Sequence, residues 1–187
     1  EFYFRKPPLI NWLVAGSFEI IGERSELAAR LPSVVFVLMF ATLLIWLPVP
    51  FLNLEARFTA ALVFLTNISM LEKGRLIEIE AIYISLTGMA TVLWLHSFAS
   101  GALRWRGWLP ASAMLGLGML LKGPIILPFF YVPVLAVLWR SKRLRELVSI
   151  PAVAGVIVWL GGFLIWIYLV LQQASGEDMG STWAHEL

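Results

Sequence analysis

The chain has 187 residues, 60% of them hydrophobic and only 14% charged, with a mean hydropathy of +0.85 and a formal net charge of +2. That composition excludes an ordinary soluble globular domain. Having no cysteine, the chain has no disulfides, no thiolate catalysis and no cysteine-ligated zinc.

Spanning hydrocarbon takes about 20 mostly apolar residues, and several runs here approach that length. They do not alternate apolar and polar residues as barrel strands do. The expected architecture is all-α: a polytopic transmembrane helical bundle of about six membrane helices plus a short interfacial helix. Pro7-Pro8 breaks any helix before it and favours the first turn of one that follows. Leu9 to Ile21 is then a helix too short to span, with Trp12 suited to the interface, and Gly22 ends it. Ser25 is a fitting N-cap for Glu26 to Arg30, which lead into the first span, about Pro32 to Leu47. Pro48 and Pro50 stop that span. Further spans run from about Ala56 to Leu71 and from Glu80 to Phe98. Trp108 to Lys122 is shorter, and Lys122-Gly123-Pro124 separates it from Ile125 to Trp139. A last span covers about Ile150 to Leu171, and the residues after Gln172 are polar. Trp46, Trp94, Trp105, Trp108 and Trp139 lie near span ends and read as interfacial anchors. Both ends read as cut from a longer protein, so a single transmembrane domain truncated at both ends is expected.

Lys and Arg mark the cytoplasmic side of a membrane protein. Arg104, Arg106, Arg140, Lys142, Arg143 and Arg145 fall in two loops on one side, where Arg57 also begins a span. No aromatics interleave the basic cluster at 140–145 as a nucleic-acid surface requires. They read as topology determinants beside anionic membrane lipids, with no nucleic-acid partner. Alternation of the spans then gathers Arg5-Lys6, the stretch Glu72 to Glu80, Lys122 and the polar tail on the outward face.

Lys6, Arg75 and Lys122 are cations in or beside hydrocarbon, where ionisable residues are costly and often functional. Lys122 lies between two apolar halves. It either snorkels to the interface or holds an anionic head group, for which an ammonium is a suitable point charge. Glu78 and Glu80, two apart on a helix, point about 200° apart, so only one easily faces a given site. Arg75 and Glu78 are spaced for an i,i+3 pair of small worth. Glu80 opens an apolar run. There it is either a first-turn acid favoured by the helix dipole or a group that orients an acceptor, acts as general base or binds a metal. His96, at the inward end of a span, reads as structural. A divalent metal is the one cofactor in view, with Glu80 and His185 as its candidate ligands.

Lys6-Pro7-Pro8-Leu9, then Trp12, then Glu26-Leu27-Ala28-Ala29-Arg30-Leu31-Pro32-Ser33 resemble segments of bacterial GT-C-fold glycosyltransferases. The relatives are the dolichyl-phosphate-mannose protein mannosyltransferases and the lipid A aminoarabinose transferases. Gly74-Arg75, with Glu80 five positions after the arginine, is similar to that family's arginine-then-aspartate segment. Leu121-Lys122-Gly123-Pro124 resembles its second lysine motif. Order, spacing and shared face agree over essentially the whole chain. The resemblance implies a GT-C-like bundle and an inverting enzyme that takes a sugar from a polyprenyl-phosphate donor. The acceptor would be a lipid (lipid A-like), a glycan or a protein at the outer face of a bacterial inner membrane. It also implies that Lys6, Arg75 and Lys122 contact the donor's lipid phosphate and that Glu80 is catalytic.

Two departures matter: Glu80 replaces the usual aspartate, and Arg5 stands where a glutamate often precedes the first lysine motif. The family's principal catalytic aspartate belongs to a loop ahead of Lys6, outside this sequence, so the chain alone is expected to be inactive. A transporter or channel with an outward-facing ionic substrate site is the alternative. It calls for inverted repeats or for charges at mid-depth on both sides, and neither is visible.

Overall fold

The computed structural model describes residues 7–73, 79–101 and 105–173. The expectations at Lys6, Arg75, Glu78, Arg104 and His185, and for the tail from residue 174, lie outside the described residues. Within them every regular element is helical: α1 (Leu9–Ile21), α2 (Glu26–Trp46), α3 (Leu54–Thr66), α4 (Ile68–Lys73), α5 (Ile79–Ala99), α6 (Trp105–Lys122), α7 (Ile126–Arg140) and α8 (Ile150–Gln173). Short 3₁₀ turns sit at Gly123–Ile125 and Leu144–Val148. Four stretches are long and apolar enough to cross a bilayer: Glu26–Trp46, Ile79–Ala99, Trp105–Arg140 and Ile150–Gln172. The protein is a helical membrane bundle, with α1 as a shorter apolar helix.

Trp105–Arg140 has 36 residues and would overrun the bilayer if straight. Instead α6 stops at Lys122, Gly123 adopts a left-handed backbone (φ 76°), and Pro124 has no N–H with which to continue. α7 folds back against α5 and α6, burying Ile126, Phe130, Val134 and Leu138, one per helical turn. The expected span from Ala56 to Leu71 is interrupted. Asn67 leaves the helix (φ −61°, ψ 130°), and its Oδ1 accepts the Ser69 N–H at 3.0 Å, so α4 starts afresh. α3 alone has 13 residues and rises only about 20 Å.

α5 is the centre of the bundle, half buried, whereas α8 is only 11% buried and leaves most of its surface uncovered by the other described helices. Antiparallel α6 sets Trp108 edge-on to Trp94 at 5.9 Å and, at its other end, Lys122 beside Glu80. α2 runs parallel to α5. The Phe40 ring covers Gly88, where any Cβ would collide with it, and His96 donates from Nδ1 to the Pro48 carbonyl. α8 runs parallel to α6, Gly155 lying against Ser112 and Gly116 against Trp159. Trp159 in turn donates to Tyr131 Oη of α7 at 3.2 Å. Ser85, Thr87 and Thr91 donate to carbonyls four residues back, so α5 carries hydroxyls through the core without orphaning them. Trp94 and Trp108 are each 1% exposed and are core residues, not anchors. With Phe98 stacked on Trp94, they fill the α5–α6 seam, whereas Trp46, Trp105 and Trp139 are exposed.

α1 is held by a proline. Pro32 lies inside α2 and offers no N–H to the Ala28 carbonyl. Ser17 of α1 supplies that donor: its buried Oγ lies 2.6 Å from Ala28 O and 2.8 Å from Val14 O. Leu9 is buried in the same core as α5 and α6, which brings the start of α1 to the Lys122 end of the bundle.

The two ends differ in charge. Around Lys122 stand Arg24, Arg30 and Lys73 with Glu19, Glu23, Glu26, Glu72 and Glu80. At the opposite end, among the described residues, Arg57, Arg106, Arg140, Lys142, Arg143 and Arg145 are offset only by Glu55 and Glu146.

Candidate active site

Glu80 lies in the first turn of α5 and Lys122 in the last turn of α6. Each stands where its own helix dipole favours its charge. Antiparallel packing then brings the two together: Lys122 Nζ donates to Glu80 Oε1 at 2.9 Å across 42 residues of chain. Their side chains keep 43% and 42% of their exposure, so the pair opens to the surroundings instead of closing a core. An ammonium has three N–H groups, so two remain for an incoming anion.

Tyr83, one turn along from Glu80, lays its buried ring 5.8 Å from Lys122 Nζ, a cation–π contact. Its hydroxyl is buried with no hydrogen-bond partner among the described residues. Lys73, at the end of α4, adds its positive charge to the field at Glu80. A groove of about 870 Å³ opens beside Ile79, the neighbour of Glu80. Its lining from α1 and the following turn includes Ile10, Val14, Phe18, Glu19 and Arg24.

Of the residues singled out in the sequence, the structure brings Glu80 and Lys122 into contact. Lys6, Arg75 and His185 lie outside the described residues. No three His, Cys, Asp or Glu side chains gather as a metal site among the described residues, and the partners of Glu80 there are cations. Tyr83 and Lys73 were not singled out. Tyr83 carries a signal in hindsight, its i+3 spacing from Glu80, and Lys73 lies within the same polar stretch.

A membrane bundle with an open acid–base pair joining two helices at one end has the layout of an enzyme or carrier for a charged substrate. The family described as dolichyl-phosphate-mannose-protein mannosyltransferase has a model that matches residues 5–169, and the chain belongs to that family. It is therefore of the membrane glycosyltransferases that draw on a polyprenyl-phosphate-linked sugar donor. No curated protein and no solved structure matches the chain.

Proposed function

We propose that the protein moves a sugar from its polyprenyl-phosphate donor to an acceptor at the outer face of a bacterial inner membrane, inverting the anomeric centre. The Lys122–Glu80 pair carries this reading. Two motif segments far apart in sequence meet there, at the end opposite the basic loops. A basic end belongs on the cytoplasmic side, which supports an outward-facing site.

In a direct displacement the acceptor oxygen attacks the anomeric carbon while the bond from that carbon to the phosphate oxygen breaks. Negative charge collects on the departing lipid phosphate. The two remaining N–H groups of Lys122, with Lys6 and Arg75 from the neighbouring motifs, meet that charge, and fixed cations stabilise it most where water is excluded. Glu80, held in place by Lys122, orients the acceptor hydroxyl or takes its proton. The groove beside α1 sets Ile10, Val14, Ala15, Phe18 and Ile79 next to Asn11, Glu19, Glu23 and Arg24, a mixed lining that suits an acceptor with both acyl chains and a polar head, a lipid A-like molecule.

The test uses the full-length protein in membranes, with Lys122→Ala and Lys6→Ala beside wild type. Label is followed from polyprenyl-phosphate sugars into extracted lipid and into protein. Both variants should lose transfer at normal expression, with wild-type label in the lipid fraction. A wild type that moves no sugar from any donor, yet changes solute flux across vesicles, would favour a transporter instead.

A further inference from the structure

The opposite end of the bundle carries a second site. α7 ends at Arg140 in a Schellman turn: the Lys142 N–H donates to Trp139 O at 3.1 Å and the Arg143 N–H to Leu138 O at 2.8 Å. The residue that must turn left-handed in such a motif is usually glycine, and here it is Lys142, with φ 57°. A lysine kept in that conformation points to a use for its side chain. The turn and the 3₁₀ segment after it enclose a groove of about 600 Å³ lined by Trp139, Lys142, Arg143, Leu144, Arg145 and Glu146.

The three cations in this groove are not equivalent. Arg143 donates to Glu146 at 2.9 Å and rests its guanidinium 5.2 Å from the Phe98 ring, so it is a fixed part of the wall. Lys142 and Arg145 are exposed and carry positive charge that Glu146, already paired, does not neutralise. Trp139, 73% exposed, stands at the rim where an interfacial indole meets lipid head groups. Leu144, Val148 and Ile150 are exposed beside it and give acyl chains an apolar surface next to the cations.

We infer that this groove binds the phosphate head group of an anionic membrane phospholipid. Lys142 and Arg145 meet the phosphate, Arg143 backs the pocket, and Trp139 packs on the glycerol region. Basic pockets between membrane helices hold such head groups by charge and by the neighbouring interface. This is a built site, distinct from a diffuse excess of positive charge. It depends only on the bundle and its turn, and not on sugar transfer.

The experiment places the full-length protein in zwitterionic phosphatidylcholine nanodiscs containing a minor share of phosphatidylglycerol. Native mass spectrometry then measures the phosphatidylglycerol retained after washing. Wild type and Lys142→Arg should retain it. Lys142→Gly and Arg145→Gln should each weaken retention about fivefold, the worth of roughly one interfacial cation. Arg106→Gln, a basic residue of the same end outside the groove, should not. Thermal melting of Lys142→Gly in pure phosphatidylcholine should be unchanged or raised, since glycine relieves the left-handed backbone. Equal loss in Arg106→Gln, or retention unchanged in Arg145→Gln, would overturn the inference. So would displacement of the lipid by inorganic phosphate at matched ionic strength.

Discussion

The two ends of the bundle hold charge in different ways. At the Lys122 end, acid and base are nearly balanced among the described residues, and Lys122–Glu80 joins separate helices 42 residues apart in the chain. At the basic end, the Arg143–Glu146 pair closes within one 3₁₀ turn, and most cations stand without an acid beside them. An excess of loose charge is enough to choose a side of the membrane. Fixing one ammonium at one point takes two helices, their dipoles and an aromatic floor. Loose charge, as at the basic end, is suited to orienting a membrane protein, and the fixed Lys122–Glu80 pair is suited to chemistry.

This contrast can be broken by mutation. The largest effect is expected at Lys122→Ala, which should lower transfer about 10²–10³-fold, the scale seen when one preorganised charge-stabilising group is lost. The purified protein's melting should hardly change. Glu80→Gln comes next, with about a 10²-fold loss if the carboxylate positions the reacting groups. Its effect on stability should stay under about 1 kcal/mol, because the pair is half exposed. A large drop in melting from either variant would recast the pair as a structural clamp.

Ser17→Ala removes the donor to Ala28 O and should cost about 1–3 kcal/mol, read as faster proteolysis or hydrogen exchange in α1. Adding Pro32→Ala should return part of that loss by restoring the helix's own N–H. At the basic end, Arg57→Gln breaks a bond to Ile45 O of 2.8 Å. It should cost about 1 kcal/mol and leave transfer within twofold of wild type. Loss of transfer there would mean that the two ends are coupled.

Much of this layout is legible in the sequence. Apolar runs and their Pro and Gly stops mark α1, α2 and α5 to α8, and the loop charges sort the ends. The meeting of Glu80 with Lys122 follows from two motifs that share one face. The break at Asn67 is only faintly legible, because no Pro or Gly marks it and the polar Thr66, Asn67 and Ser69 are set in an otherwise apolar run. Trp94 and Trp108 mislead for a related reason. A helix that is apolar on every side does not reveal which face meets protein and which meets lipid, so a tryptophan near its end looks the same in either place. The left-handed Lys142 is equally hidden, since a lysine at that position gives no hint of a glycine's backbone.

The α6–α7 hairpin also bears on how the protein is made. Glu80 precedes Lys122 by 42 residues, so it is synthesised before the hairpin follows. α6 has 18 residues and α7 has 15, with only Gly123–Ile125 between them. In the proposed orientation, so tight a hairpin would cross the bilayer tip first and carry an ammonium with it, at a cost of about 3 kcal/mol for a lysine at mid-membrane. The waiting carboxylate is the counter-charge that receives this tip. In that reading, the pair proposed for the reaction also gives the second half of the bundle a counter-charge on which to dock.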